Sequence, residues 1–157
     1  MIQGVVVMVW LVVCAVQDTR QRLLANRLTL GVALLGGVYL FWTGSTWLGA
    51  SVGQGLWAFV LALLLTLPGY ALGRLGAGDV KLLAALALIS DAEYLLGAFI
   101  GATLASVLWL LLAPKLWPLM GQRLTNCLGH LAPEPSKKLP FAPFLLVGFT
   151  LVWFWIH

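Results

Sequence analysis

Two uninterrupted apolar runs, LWAFVLALLLTL at 56–67 and FIGATLASVLWLLLA at 99–113, limit the folds open to this chain more than any other feature. A water-soluble core cannot absorb such runs one after another. A bilayer accepts each as a helix whose backbone hydrogen bonds close internally. The composition agrees, with 62% hydrophobic and 9% charged residues, where soluble domains carry roughly 25% charged residues. The expected fold is an all-α, polytopic membrane protein forming a single membrane-embedded domain over 1–157.

Six transmembrane helices are expected, at 2–17, 28–42, 52–72, 79–89, 94–113 and 141–156, with room for the first to extend through Asp18 and the second toward Leu48. Pro68-Gly69 is expected to kink or end the third. The opening MIQGVVVMVWLVVCAV lacks the basic start and cleavage site of a secretory signal, so it is expected to stay as the first span. Under this count the basic residues sort to one side. Arg20, Arg22 and Arg27 fall in the first connection, Arg74 in the third, Lys81 just inside the fourth span, and Lys115, Arg123, Lys137 and Lys138 in the loop at 114–140. The second and fourth connections hold none, which places both termini outside and the loop at 114–140 in the cytoplasm. The net charge of +4 thus reflects orientation, and no nucleic-acid partner is expected. Cys14 and Cys127 lack the spacing of a metal knuckle or a disulfide scaffold, and neither a metal nor a cofactor is expected. Gly97, Gly101 and Ala105 recur at every fourth position and offer the fifth helix a face for close packing.

The acidic residues divide into two groups. Asp91, Glu93 and Glu134 read as solvated ends. Asp18 ends the first span in VCAVQDTRQR, and Asp79 begins the fourth in RLGAGDVKLL. A helix descending through the membrane ends at the depth where an ascending one begins, so these two acids can face each other. Paired carboxyl groups that share a proton can activate water for amide hydrolysis, one taking a proton while the other polarises the carbonyl. Acids near hydrocarbon are costly, which favours a functional role. Each also has a plain reading: Asp79 can cap its helix, and Asp18 can pair with Arg20 or Arg22. Gly76 and Gly78 leave room for a tight turn and a close substrate backbone. Lys81 can bias a carboxylate, attract an acidic group or extend to the interface. The pattern GxxxxGK[ST] of phosphate loops is absent.

Together these stretches resemble the bacterial prepilin peptidase family, membrane aspartic proteases of the GxGD type, and among them the short members that serve tight-adherence pili. GAGD at 76–79 followed by Lys81 is similar to the family's GxGD-x-K core, DTRQRLLAN at 18–26 to its first aspartate motif, and KLPFAPFLLVG at 138–148 to its Pro-Phe-Gly-Pro element. The resemblance implies Asp18 and Asp79 as the catalytic dyad, Gly76 and Gly78 shaping the second motif, and Asn26, Lys81, Pro140 and Pro143 in support. It implies cleavage of the basic leader of a prepilin or pseudopilin at the cytoplasmic face of the bacterial inner membrane, among membrane lipid. Leu24-Ala25 stands where the family usually has isoleucine-proline, and Ala142 where it has glycine. The cysteine zinc knuckle of the longer, bifunctional members is absent from these 157 residues, so leader cleavage without methylation of the mature pilin is expected. Two alternatives stand beside this reading: a GxGD protease with a non-pilin substrate, and a non-enzymatic transport or scaffold subunit whose acids relay protons or brace the bundle. The sequence sets no oligomeric state.

Overall fold

The computed structural model describes residues 1–21, 25–127, 129 and 140–157. Arg22, Leu24, Glu134, Lys137 and Lys138, on which parts of the charge and motif readings rest, lie outside the described residues. The described residues form helices α1 (Ile2–Gln21), α2 (Asn26–Thr43), α3 (Val52–Ala71), α4 (Ala77–Ile89), α5 (Ala92–Leu116), α6 (Gln122–Cys127) and α7 (Ala142–Ile156), with a 3₁₀ turn at Trp117–Leu119. Among the described residues no sheet forms, only an isolated bridge between Ser45 and Ser51. The fold is all-α and polytopic.

Every apolar segment expected to span is helical, and α1, α3 and the stretch Ala92–Leu119 are long and apolar enough to cross a membrane. The remaining three are shorter or more polar. α7 has 15 residues, α2 begins with the polar pair Asn26-Arg27, and α4 has 13 residues. At ~1.5 Å per residue α4 covers about 20 Å, less than the ~30 Å of hydrocarbon. Its surroundings explain how it can be short. Leu82, Leu83, Ala85, Leu86, Ala87 and Ile89 are all buried, because α2 and α3 pack along it. A helix apolar all round belongs in the centre of a bundle. The outer helices instead turn Val5, Val9, Leu34, Leu64, Leu104, Leu111 and Phe154 outward, where lipid would cover them.

Local chemistry sets the helix ends. Ser51 and Gln54 form a reciprocal capping box at the start of α3, and Asp91 accepts the Tyr94 N–H at the start of α5. α2 stops at Gly44, which takes φ 75 and returns its N–H to the Leu40 carbonyl. The expected extension toward Leu48 is therefore corrected: 44–51 turns back, donating Trp47 Nε1 to the Gln3 carbonyl and Leu48 N to the Ile89 carbonyl. Two prolines stay inside helices. α3 continues past Pro68 to Ala71, and α5 past Pro114 to Leu116, so the loop expected from 114 begins beyond α5. Near a helix end proline sacrifices one hydrogen bond, a smaller loss than freeing several groups close to lipid.

α5 and α7 make the tightest seam. A Cβ placed on Gly101 would lie 2.6 Å from the Gly148 Cα, and one on Gly97 would strike Val152. The face expected from Gly97, Gly101 and Ala105 is thus the α7 contact for both glycines, while Ala105 packs at the margin of the core. Tyr94, Phe149 and Trp153 close this seam at one end of the bundle. α1 packs on the other flank of α7, where the Trp153 ring fills the space that Gly4 leaves open. Successive long helices alternate in direction.

Candidate active site

At the end of the bundle away from the 44–51 turn, side-chain hydrogen bonds join the last turns of α1 to the starts of α7 and α2, and the start of α2 to the first turns of α4. Asp18 lies in the last turn of α1 and is 6% exposed. Its Oδ2 accepts the Ala142 N–H at 3.0 Å, across 124 residues of sequence. Ala142 is the first residue of α7, and its N–H is one that no carbonyl inside that helix can receive. The carboxylate of Asp18 therefore acts as the cap of another helix. Pro140 is buried immediately before α7 and Pro143 sits in its first turn, where a fixed φ and a missing N–H cost nothing. The proline element predicted from sequence is thus brought onto Asp18 through Ala142, the second of the two residues between the prolines.

Asp79 lies in the first turn of α4. Its Oδ2 accepts the Gly76 N–H at 3.2 Å, the reach-back half of a capping box. The capping role weighed for Asp79 from sequence is therefore present. Gly76 is extended, with φ −79 and ψ 155, a conformation open to any residue. The tight turn between α3 and α4 is made instead at Gly73, with φ 71, and the Arg74 and Leu75 N–H groups return to the Gly69 carbonyl. Gly78 is helical, one residue before Asp79. The dihedral angles of Gly76 place no demand for glycine, so the left-handed residue of this connection is Gly73.

Lys81 and Asn26 are brought together: Lys81 Nζ donates to Asn26 Oδ1 at 2.9 Å across 55 residues. Of the three uses considered for Lys81, this contact adds a fourth that sequence spacing does not reveal. Gln17 was not singled out from the sequence. Its Oε1 accepts the Ala25 N–H at 3.1 Å, and Trp10 Nε1 donates to the Leu28 carbonyl at 3.1 Å. These bonds tie α1 to the beginning of α2. A helix-ending Gln eight residues before a helix-starting position was the available signal, and Gln at a helix end is too common to stand out.

Among the described residues no three His, Cys, Asp or Glu side chains gather as a metal site needs, and Cys14 and Cys127 are both free thiols. An apolar cavity of 380 Å³ opens between α1 and α2, lined by Val6, Trp10, Val32, Tyr39 and Trp47 among others. It contains no carboxylate, histidine or lysine. Trp10 lies eight residues from Asp18 along α1, about 12 Å at ~1.5 Å per residue. The end carrying Asp18, Asp79, Asn26 and Lys81 is therefore where acid and base side chains concentrate.

Comparison with curated proteins returned no match, and comparison with solved structures returned none. A family model does match: the type IV leader peptidase family, over residues 5–111. The matched stretch includes Asp18, Asn26, Gly76, Gly78, Asp79 and Lys81, and ends before Pro140 and Pro143. It covers well over half of the chain, which belongs to the type IV leader peptidase family.

Proposed function

We propose that this protein is an aspartic endopeptidase that removes the basic leader of type IV prepilin-like proteins, with Asp18 and Asp79 as the water-activating pair. Family membership supports a membrane protease at the coarser level. The observation that carries the finer reading is the placement of both acids at one end of the bundle, Asp18 at the end of α1 and Asp79 at the start of α4. One carboxylate takes a proton from water, the other, protonated, polarises the scissile carbonyl, and the departing amine leaves with a proton from the dyad. Asp18 is held in place by the Ala142 N–H and Asp79 by the Gly76 N–H, an arrangement suited to fixed geometry at the reacting atoms. Gly76, Gly78, Pro140 and Pro143 act as supports of these two backbone donors.

Six apolar helices, α1 to α5 and α7, are inserted in this reading, as one peptidase domain over 1–157, in the bacterial inner membrane with both termini outside. The acids then face the cytoplasm, where the basic leader of the substrate waits while its apolar segment lies among the helices. The connection from α5 to α7 lies on the same side. The short, tight-adherence type of pilus peptidase is the subgroup this reading favours. The test is co-expression with a prepilin-like substrate and mass spectrometry of the mature N-terminus, for wild type, Asp18→Asn and Asp79→Asn. Cleavage at the leader boundary by wild type alone is expected; cleavage by either variant at the wild-type rate sinks the dyad.

A further inference from the structure

Two side-chain hydrogen bonds link the stretches that carry Asp18 and Asp79, and both pass through the entry to α2, one at Ala25 just before it and one at its first residue, Asn26. Gln17, the neighbour of Asp18, receives the Ala25 N–H. Asn26, the next residue, receives Lys81 Nζ, and Lys81 stands two places beyond Asp79. Residues two apart on a helix point about 200° away from each other. Lys81 therefore grips α2 from a side of α4 that is turned from Asp79. These links matter because the two acids belong to different packing groups: α1 packs chiefly on α7, and α4 on α2 and α3.

Ala25 adds a detail particular to this chain. Its φ of −61 is one that a proline ring would impose, yet the N–H that proline lacks is the one Gln17 receives. The hydrogen bond holds the entry to α2 where a ring would otherwise do so.

We propose that Gln17 and the Asn26–Lys81 pair are positioning residues, which set the separation of the two acids through the start of α2; this rests on the reading of Asp18 and Asp79 as the catalytic pair. The experiment uses the full chain in proteoliposomes with a prepilin-like substrate carrying a basic leader and an apolar helix. Steady-state kcat and KM are measured for Gln17→Leu, Lys81→Met, Asn26→Leu and the double variant of the last two. A displacement of about 1 Å costs roughly 10²-fold in rate, so kcat is expected to fall about 10- to 100-fold in each single variant, with KM changed by less than about 2-fold. Lys81→Met and Asn26→Leu remove the same bond, so the double variant is expected to match the singles. Asn26→Asp keeps an acceptor for Lys81 and is expected to retain near wild-type kcat, which separates loss of the bond from loss of the fold.

Unchanged kcat in the single variants, multiplying losses in the double variant, a failure of Asn26→Asp, or a change in KM alone would each overturn the positioning role. Asp18→Asn and Asp79→Asn are measured in parallel. If both are inactive while Lys81→Met and Gln17→Leu cleave normally, only the positioning role falls. If both aspartate variants cleave normally, the catalytic reading falls with it.

Discussion

Asp18 accepts the Ala142 N–H and Asp79 the Gly76 N–H, so alanine at either position removes a helix-terminal acceptor along with the carboxylate. A buried N–H left without a partner costs about 1–3 kcal/mol, and Asp18 is the more buried of the two. Asparagine keeps an amide oxygen for that N–H and removes the titrating group. Asp18→Asn is therefore expected to insert and melt close to wild type while its turnover falls at least about 10²- to 10⁴-fold. Asp18→Ala is expected to lose stability as well, by about 1–3 kcal/mol. Thermal unfolding of the purified chains beside a cleavage assay checks both halves. The position of each acid at a helix end was legible from sequence, because the apolar runs beside them mark where the helices lie. Their partners were not: Ala142 is 124 residues from Asp18, and no periodicity reports a contact at that separation. The glycines show a related limit. The motif marks Gly76, yet the left-handed conformation falls on Gly73, since sequence spacing does not fix φ.

At the level of elements, hydropathy located every long helix because the cost of an unpaired backbone group in lipid leaves few other choices. The ends were less legible. Gly44 stops α2 short of Leu48 through a local left-handed turn, and Pro114 fails to stop α5. The glycine face of α5 was readable in spacing, but its partner was not, and Gly148 is where the two backbones come closest. A Cβ on Gly148 would run into the Ala98 carbonyl and stand 2.7 Å from the Ala102 nitrogen. Backbone cannot yield as a flexible side chain would. Gly148→Val is expected to pry α7 from α5 at a cost of about 1–3 kcal/mol from overpacking, and since the first residue of α7 holds Asp18, to lower cleavage too. Gly37→Val makes a control in α2, where an added Cβ meets nothing within 4 Å. Melting in detergent is expected to show a clear loss for the first and little change for the second; equal losses would remove the seam as the cause.

For the whole molecule, the alternation of helices and the side that holds the acids are separate questions. Alternation follows from contacts at both ends: Trp47 reaches Gln3 at one, and Asp18 reaches Ala142 at the other. Which end faces the cytoplasm follows only from the distribution of Lys and Arg, and part of that distribution lies outside the described residues. The two cysteines offer a direct measurement. Cys14 is buried within α1, whereas Cys127 is exposed at the end of α6. α6 lies on the connection from α5 to α7, and α7 begins at Asp18, so a reagent that reaches Cys127 reports on the side of the end that carries Asp18 and Asp79. A membrane-impermeant maleimide is expected to label the chain in inverted inner-membrane vesicles and to leave it unlabelled in right-side-out ones. Cys127→Ser is expected to abolish the label and Cys14→Ser to leave it unchanged. Labelling of Cys127 in right-side-out vesicles alone would put Asp18 and Asp79 on the outer face, away from a leader that is still in the cytoplasm, and the proposed cleavage could not take place there.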